Sequence, residues 1–256
     1  MKNLACLVAV ALVVAQTSLI SASFTWVGST SDLSLDTNWN PTVDAPPTGF
    51  ADDDAIFNST ATTFTGLTPN GAPFYVRNLS FSGGAYSFAS SGPGDSISIG
   101  SNGNGTLSVT AGSVNFNNQS VNLNNPMTWV VSGGSTTILS SGTVNASNLA
   151  LGLSFGVSQQ NVVTLSSLVL GTSGALTVNN WGGSMGVFGG SNNQLRFSSD
   201  PSALLSKISF TGYAGAASTQ NMGSYWEVAP VPEPTTWGLL VGGLTALMIF
   251  RRRRHA

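Results

Sequence analysis

From about residue 24 onward, apolar and polar positions alternate in short runs broken by Gly, Asn and Ser. Ile97-Ser98-Ile99-Gly100 passes through Ser101-Asn102-Gly103-Asn104-Gly105 into Thr106-Leu107-Ser108-Val109. Alternation at period two predicts half-buried strands, and the Gly/Asn cluster supplies turns that need positive φ. No stretch between 24 and 230 sustains a 3.6-residue apolar period over three turns, so the body is predicted all-β. Pro201 to Ile208 is the one segment predicted as a short helix. The pattern also echoes itself. Ile97-x-Ile99-Gly100 followed by Leu107-x-Val109 matches Leu168-x-Leu170-Gly171 followed by Leu176-x-Val178, and a looser copy runs from Thr136 through Ile138 and Gly142 to Val144. Such copies predict strand-turn-strand units stacked as rungs, each burying its apolar side chains against the next. Because the copies are few and unevenly spaced, a β-sandwich is the alternative.

The two ends follow other patterns. Lys2 opens a basic start, Leu4 to Ala15 is apolar apart from Cys6, and Ser21-Ala22-Ser23 offers small residues to a signal peptidase. Residues 1–22 therefore read as a secretory signal helix that is removed on export. An uncleaved anchor is the alternative, but the apolar run is shorter than the roughly 20 residues a spanning helix needs. At the other end, Val231-Pro232-Glu233-Pro234 precedes Thr235-Thr236, the apolar run Trp237 to Phe250, and Arg251 to Arg254. The prolines forbid helix and ladder and predict an extended stem. The apolar run predicts a single transmembrane helix of about 21 Å, which flanking residues and snorkelling arginine stems extend. The arginine cluster holds that end in the cytoplasm and leaves the body outside. The chain thus divides into a signal peptide at 1–22, a β body at 23–229 and a tail at 230–256.

The Pro-Glu-Pro triplet (Pro232, Glu233, Pro234), short apolar helix and terminal arginines (Arg251, Arg252, Arg253, Arg254) resemble the PEP-CTERM sorting signal of Gram-negative bacteria. The resemblance implies that an exosortase recognises and removes the tail at the inner membrane. It also implies a link to exopolysaccharide and biofilm. A plain anchor that is never cut is the alternative. More weakly, Phe24-Thr25-Trp26 with Asn38-Trp39 resembles the opening of proteins with autotransporter-associated β-strand repeats. Leu176 to Trp181, Leu195-Arg196-Phe197, Ile208-Ser209-Phe210 and Tyr225-Trp226-Glu227 resemble their closing segment. That likeness implies a parallel β-helix, or β-solenoid, for the body. Phe24 to Trp39 and Tyr213 to Val228 are the candidate caps of its two ends.

Composition narrows the functions. Only 7% of residues are charged while 41% are hydrophobic, so a packed core forms beneath a polar, uncharged surface. Between Phe24 and Pro230 three cations (Arg77, Arg196, Lys207) face nine acids, a balance of −6. Such a body has no electrostatic footprint for nucleic acid. The single Cys6 lies in the signal segment, so the mature protein holds no disulfide.

Candidate chemistry is sparse. The one histidine, His255, lies in the tail, which leaves the serines without a base for nucleophilic catalysis. Six of the nine acids crowd between Asp32 and Asp54. Asp52-Asp53-Asp54 before Ala55-Ile56-Phe57 predicts a solvated turn entering a strand, with a bound Ca²⁺ as the functional alternative, since clustered carboxylates suit a hard cation. Carboxylate-pair or lyase chemistry on polysaccharide would need a partner group, and nothing in the sequence places Arg77, Arg196 or Lys207 beside these acids. Trp26, Trp39, Trp129, Trp181 and Trp226 are expected to fill the core, the alternative being exposed rings that stack on sugars. The expected function is an exported, exosortase-processed surface or matrix protein with a structural, non-enzymatic body. A carbohydrate-binding module and a polysaccharide-active enzyme are the alternatives.

Overall fold

The fold is described from a computed structural model. It describes residues 22–42, 53–133, 137–157, 160–190, 192–232, 238 and 242–245. The predicted signal helix lies outside the described residues except for Ala22. Of the predicted C-terminal membrane helix only residue 238 and residues 242–245 are described, and these are helical. Among the described residues no helix is long and apolar enough to cross a membrane.

The body is a β-solenoid of about five turns, not a sandwich, and its strands join into one continuous sheet. Strands that follow one another in the chain turn a corner, while strands one turn apart pair in parallel. Three faces result. The first contains β1 (Ser23–Trp26), β3 (Asp54–Phe57), the start of β5 (Asn78–Ala89), the start of β7 (Gly105–Asn117), β9 (Met127–Val131), β11 (Ala150–Phe155), β13 (Ala175–Asn179) and β15 (Ile208–Phe210). The second contains the ends of β5 and β7, the starts of β10 (Thr137–Ser147) and β12 (Val162–Leu170), and β14 (Gln194–Phe197). The third contains β4 (Pro73–Val76), β6 (Ser96–Ile99), β8 (Ser120–Leu123) and the ends of β10 and β12.

Register turns the alternating sequence into straight internal columns. On the first face Phe24, Ala55, Leu79, Leu107, Trp129, Leu153, Val178 and Phe210 pair rung to rung, and all are buried. Tyr86, Val114, Ile138, Val163 and Leu195 form a column on the second face. Phe74, Ile97, Val121, Val144 and Leu168 form one on the third. A one-residue slip in any strand would turn its apolar set outward, so burial fixes the register. The corners need compactness as much as the faces need alternation. Gly112 has φ +78°, and a Cβ built there would stand 1.8 Å from the Gly84 carbonyl of the turn below.

Both ends close with antiparallel strands. At the N-terminal end β2 (Trp39–Asn40) runs antiparallel to β1. Trp26 and Trp39 meet edge to face at 5.1 Å, and Trp39 stacks on Phe74. Asn38, fully buried, organises the covering loop: its side-chain oxygen accepts from Ser29 N–H at 2.9 Å while its amide donates to Asp32 carbonyl at 2.7 Å. At the C-terminal end β17 (Trp226–Pro230) lies antiparallel on β14 and carries β16 (Ala217–Asn221) on its other side. Lys207, at the end of the 3-10 helix Ser202–Lys207, donates to the carbonyls of Leu170 and Gly171 at 2.9 and 2.6 Å. It thereby satisfies acceptors at the last strand of the third face. The candidate caps and the short helix read from sequence are thus found at the ends of the stack.

The internal echo is real in its first half and displaced in its second. Ile97 and Leu168 share one column of the third face. Leu107, however, stands in the column of Val178, and Leu176 in that of Gly105. The step from the third face to the first is equally long in both copies, from Ile97 to Leu107 and from Leu168 to Val178, and the motif match instead falls one inward position early, at Leu176 in the column of Gly105. The looser copy falls on a different corner, with Ile138 on the second face and Val144 on the third.

Leu107→Ala is expected to cost about 2–5 kcal/mol by opening a cavity in a column. Gly112→Ala should cost about 3 kcal/mol through backbone strain and overpacking at the corner. Both are read as lowered denaturant midpoints.

Candidate functional site

The residues singled out by sequence do not converge on one place. Glu233, Pro234, Arg251 to Arg254 and Asp52 lie outside the described residues, as does His255. Pro232 is described and marks where the chain leaves the C-terminal cap. Asp53 and Asp54 lead into β3, as the turn reading expects. Their groups already have protein partners: Asp53 Oδ1 accepts from Ala22 N–H at 2.7 Å. Asp54 takes the Arg77 guanidinium at 3.0 Å and the Asn78 amide at 2.7 Å. Here the structure corrects the sequence, which gave no reason to set Arg77 beside these acids. The parallel pairing of Asp54 with Asn78 does so. Arginine offers only donors, so the pair acts as a clamp between turns. Among the described residues no group of three or more His, Cys, Asp and Glu gathers as a metal site.

The tryptophans are core residues. Trp26, Trp39, Trp129 and Trp181 are at most 2% exposed, and Trp226 is partly buried against the core. Among the described residues no tryptophan is exposed as a stacking platform for sugars. What the surface offers instead is the outward side of the first face. Asn78, Thr106, Thr128, Gly152, Thr177 and Ser209 follow one another in register without a charge. Neighbouring turns bond through these side chains: Thr211 donates to Asn179 at 2.6 Å, and Ser209 to Thr177 at 3.4 Å. Gly152 breaks the row, leaving an open depression of about 340 Å³ floored by Met127 and Leu151 and rimmed by Thr106, Thr128 and Thr177. This surface offers neutral donors and acceptors.

The C-terminal cap gathers the other unusual groups. In the antiparallel pairing of β14 with β17, Arg196 stands opposite Glu227. The Arg196 guanidinium lies over the Tyr225 ring, 4.1 Å from its centre, and donates to Gln194. Glu227 is only 2% exposed, because loop 182–190 folds over it and Gly189 N–H donates to its Oε2 at 2.8 Å. Burial pushes its carboxyl above the usual range, and the Gly189 bond and the Arg196 charge offset that only in part. Asp95 contrasts with it. Burial pushes its carboxyl up too, but donors from Ser91, Gly71 and Thr68 outweigh that and hold it below the usual range.

The same cap holds the chain's exit. Val231 N–H donates to Ala216 carbonyl at 2.9 Å, and Gly186 N–H donates to Pro230 carbonyl at 2.8 Å. A Cβ built on Gly215 would fall 1.5 Å from the Val231 carbonyl, so only glycine admits the departing strand there. The sequence did not reveal this arrangement. Loop 182–190 covers Glu227 across 38 residues of chain, a contact that no local pattern carries. Compared with protein-family models, with curated proteins and with solved structures, the chain matches none.

Because the folded state holds the Glu227 proton more tightly than the unfolded chain does, this group stabilises most at low pH. That contribution is lost as pH rises above the ordinary carboxylate range. Glu227→Gln is therefore expected to raise Tm at pH 7 by a few degrees, with the gap closing toward pH 4. Thermal melts of both proteins across that range check it.

Proposed function

We propose that the chain is an exported bacterial surface or extracellular-matrix protein whose body is structural and whose tail is removed by an exosortase. Signal peptidase and exosortase are its processing partners, with the inner membrane holding the C-terminal helix until processing. The mature body then belongs to the cell envelope or medium, where exopolysaccharide is its expected surroundings. The observation that carries the reading is the exit of the chain at the capped end of the solenoid. The last strand delivers Pro232 to the surface, directly before Glu233 and Pro234 in the sequence. That the last described strand ends directly before the motif in the sequence supports its recognition by a processing enzyme.

The body suits the role by its chemistry. It is a rigid stack whose neutral Ser, Thr and Asn ladders face water, with both ends closed against strand addition. The Asp54–Arg77 pair joins neighbouring turns and Glu227 is held by Gly189 of the covering loop, which supports a non-enzymatic body.

Intact mass and peptide mapping of protein recovered from the cell surface and medium test the reading. The expected product lacks Met1 to about Ala22 and everything beyond the Pro-Glu-Pro region. Retention of Arg251 to Arg254 in the membrane fraction would make the chain a permanent anchor and overturn the sorting claim.

A further inference from the structure

The C-terminal end of the solenoid carries a group of apolar side chains around the exit of the chain. Val187 is 51% exposed at the tip of loop 182–190, and Phe188 beside it is partly buried against the core. The Met222 methyl lies over Gly189, and the Met185 methyl lies against Gly215, the residue whose missing side chain admits Val231. Gly186 of the same loop bonds to Pro230 and faces the Pro232 ring. Met185, Val187, Phe188 and Met222 thus ring the point where the tail departs.

Of the acids at this end, Glu227 is covered and bonded to Gly189, while Asp200 is exposed with its carboxylate accepting from Ser202. The length of chain beyond this point sets the geometry. Four residues, Glu233 to Thr236, separate Pro232 from the apolar run that starts at Trp237. The five steps from Pro232 to Trp237 reach about 18 Å at most when fully extended. About 5–7 Å of that distance lies within the headgroup region on that side of the bilayer. About 13 Å at most remains between the cap and the headgroups at full stretch.

We infer that, before the tail is removed, the ring of Met185, Val187, Phe188 and Met222 rests on the headgroup surface of the membrane that anchors the tail. This rests on the anchored-tail reading above. The solenoid axis then points away from the bilayer, with the tryptophan-capped N-terminal end distal. Apolar tips at the boundary of headgroups and acyl chains add modest binding that becomes effective because the tail tethers them.

The test uses the exported form, residues 23–256, which has no cysteine of its own, with one cysteine at Val187 or at Thr37 on the distal end. Each is labelled with a polarity-sensitive probe and reconstituted in phosphatidylcholine–phosphatidylglycerol vesicles carrying spin-labelled lipid. The Val187 probe is expected to be quenched about threefold or more over the Thr37 probe. A long Gly/Ser insertion between Pro232 and Glu233 should abolish that excess while the protein still floats with the vesicles. Equal quenching at both sites in floating protein overturns this inference and leaves the anchor intact. Protein that does not float overturns the anchor reading and this inference with it. Shielding of Val187 that rises with protein density, without lipid quenching, assigns the ring to a second copy and also overturns it.

Discussion

In-register parallel pairing from turn to turn is the constraint on which the rest of this molecule depends. Each strand is too short, and each turn too thin, to bury its own apolar residues. Leu79 is dry only because Ala55 lies below it and Leu107 above. Stability is therefore cumulative along the stack, and the two end turns are its weak points. The protein protects them with antiparallel strands and aromatic packing, at Trp26 and Trp39 on one end and at Trp181, Phe210 and Tyr213 on the other.

The same pairing explains the unusual composition. In a parallel stack every outward residue has a registered neighbour above and below at about 4.8 Å. A charge repeated along such a row would repel its own copies, whereas Ser, Thr and Asn bond to theirs. A body with so little charge is what an uninterrupted register selects. Asp54 is paired with Arg77 next to its strand partner and Arg196 stands opposite Glu227, while Asp95 and Lys207 are held by neutral donors and acceptors. Read this way, the acidic residues near β3 and β17 mark the ends of the stack.

Alternation made the strands and the turns legible from sequence, because each is set by residues close together in the chain, whereas the end segments stand out as caps by resemblance. Ile97 with Leu168 even disclosed one column of the third face. The pair Leu107 and Leu176 shows the limit: inward positions recur every second residue, so the pattern alone matches Leu107 to Leu176 where the register sets it in the column of Val178. Arg77 on Asp54 required knowing which strands are neighbours. Glu227 was hidden for a different reason, since a loop from another turn covers it. The depression at Gly152 was likewise invisible, because its walls are Thr128 and Thr177 of the turns on either side. The glycine is read as missing bulk only once those neighbours are known.

Distances between labelled turns test the stacking most directly. Thr25, Ile56, Ser80, Ser108, Val130, Ser154 and Asn179 form one outward row. In the Cys6→Ser chain, nitroxide pairs joining Asn179 to Ser80, to Ile56 and to Thr25 span four, five and six steps. Pulsed dipolar spectroscopy should return separations near 19, 24 and 29 Å, rising by about 4.8 Å per step. Separations that fail to rise in equal steps along this row would contradict the solenoid, and with it the account of the caps, the composition and the exit of the chain.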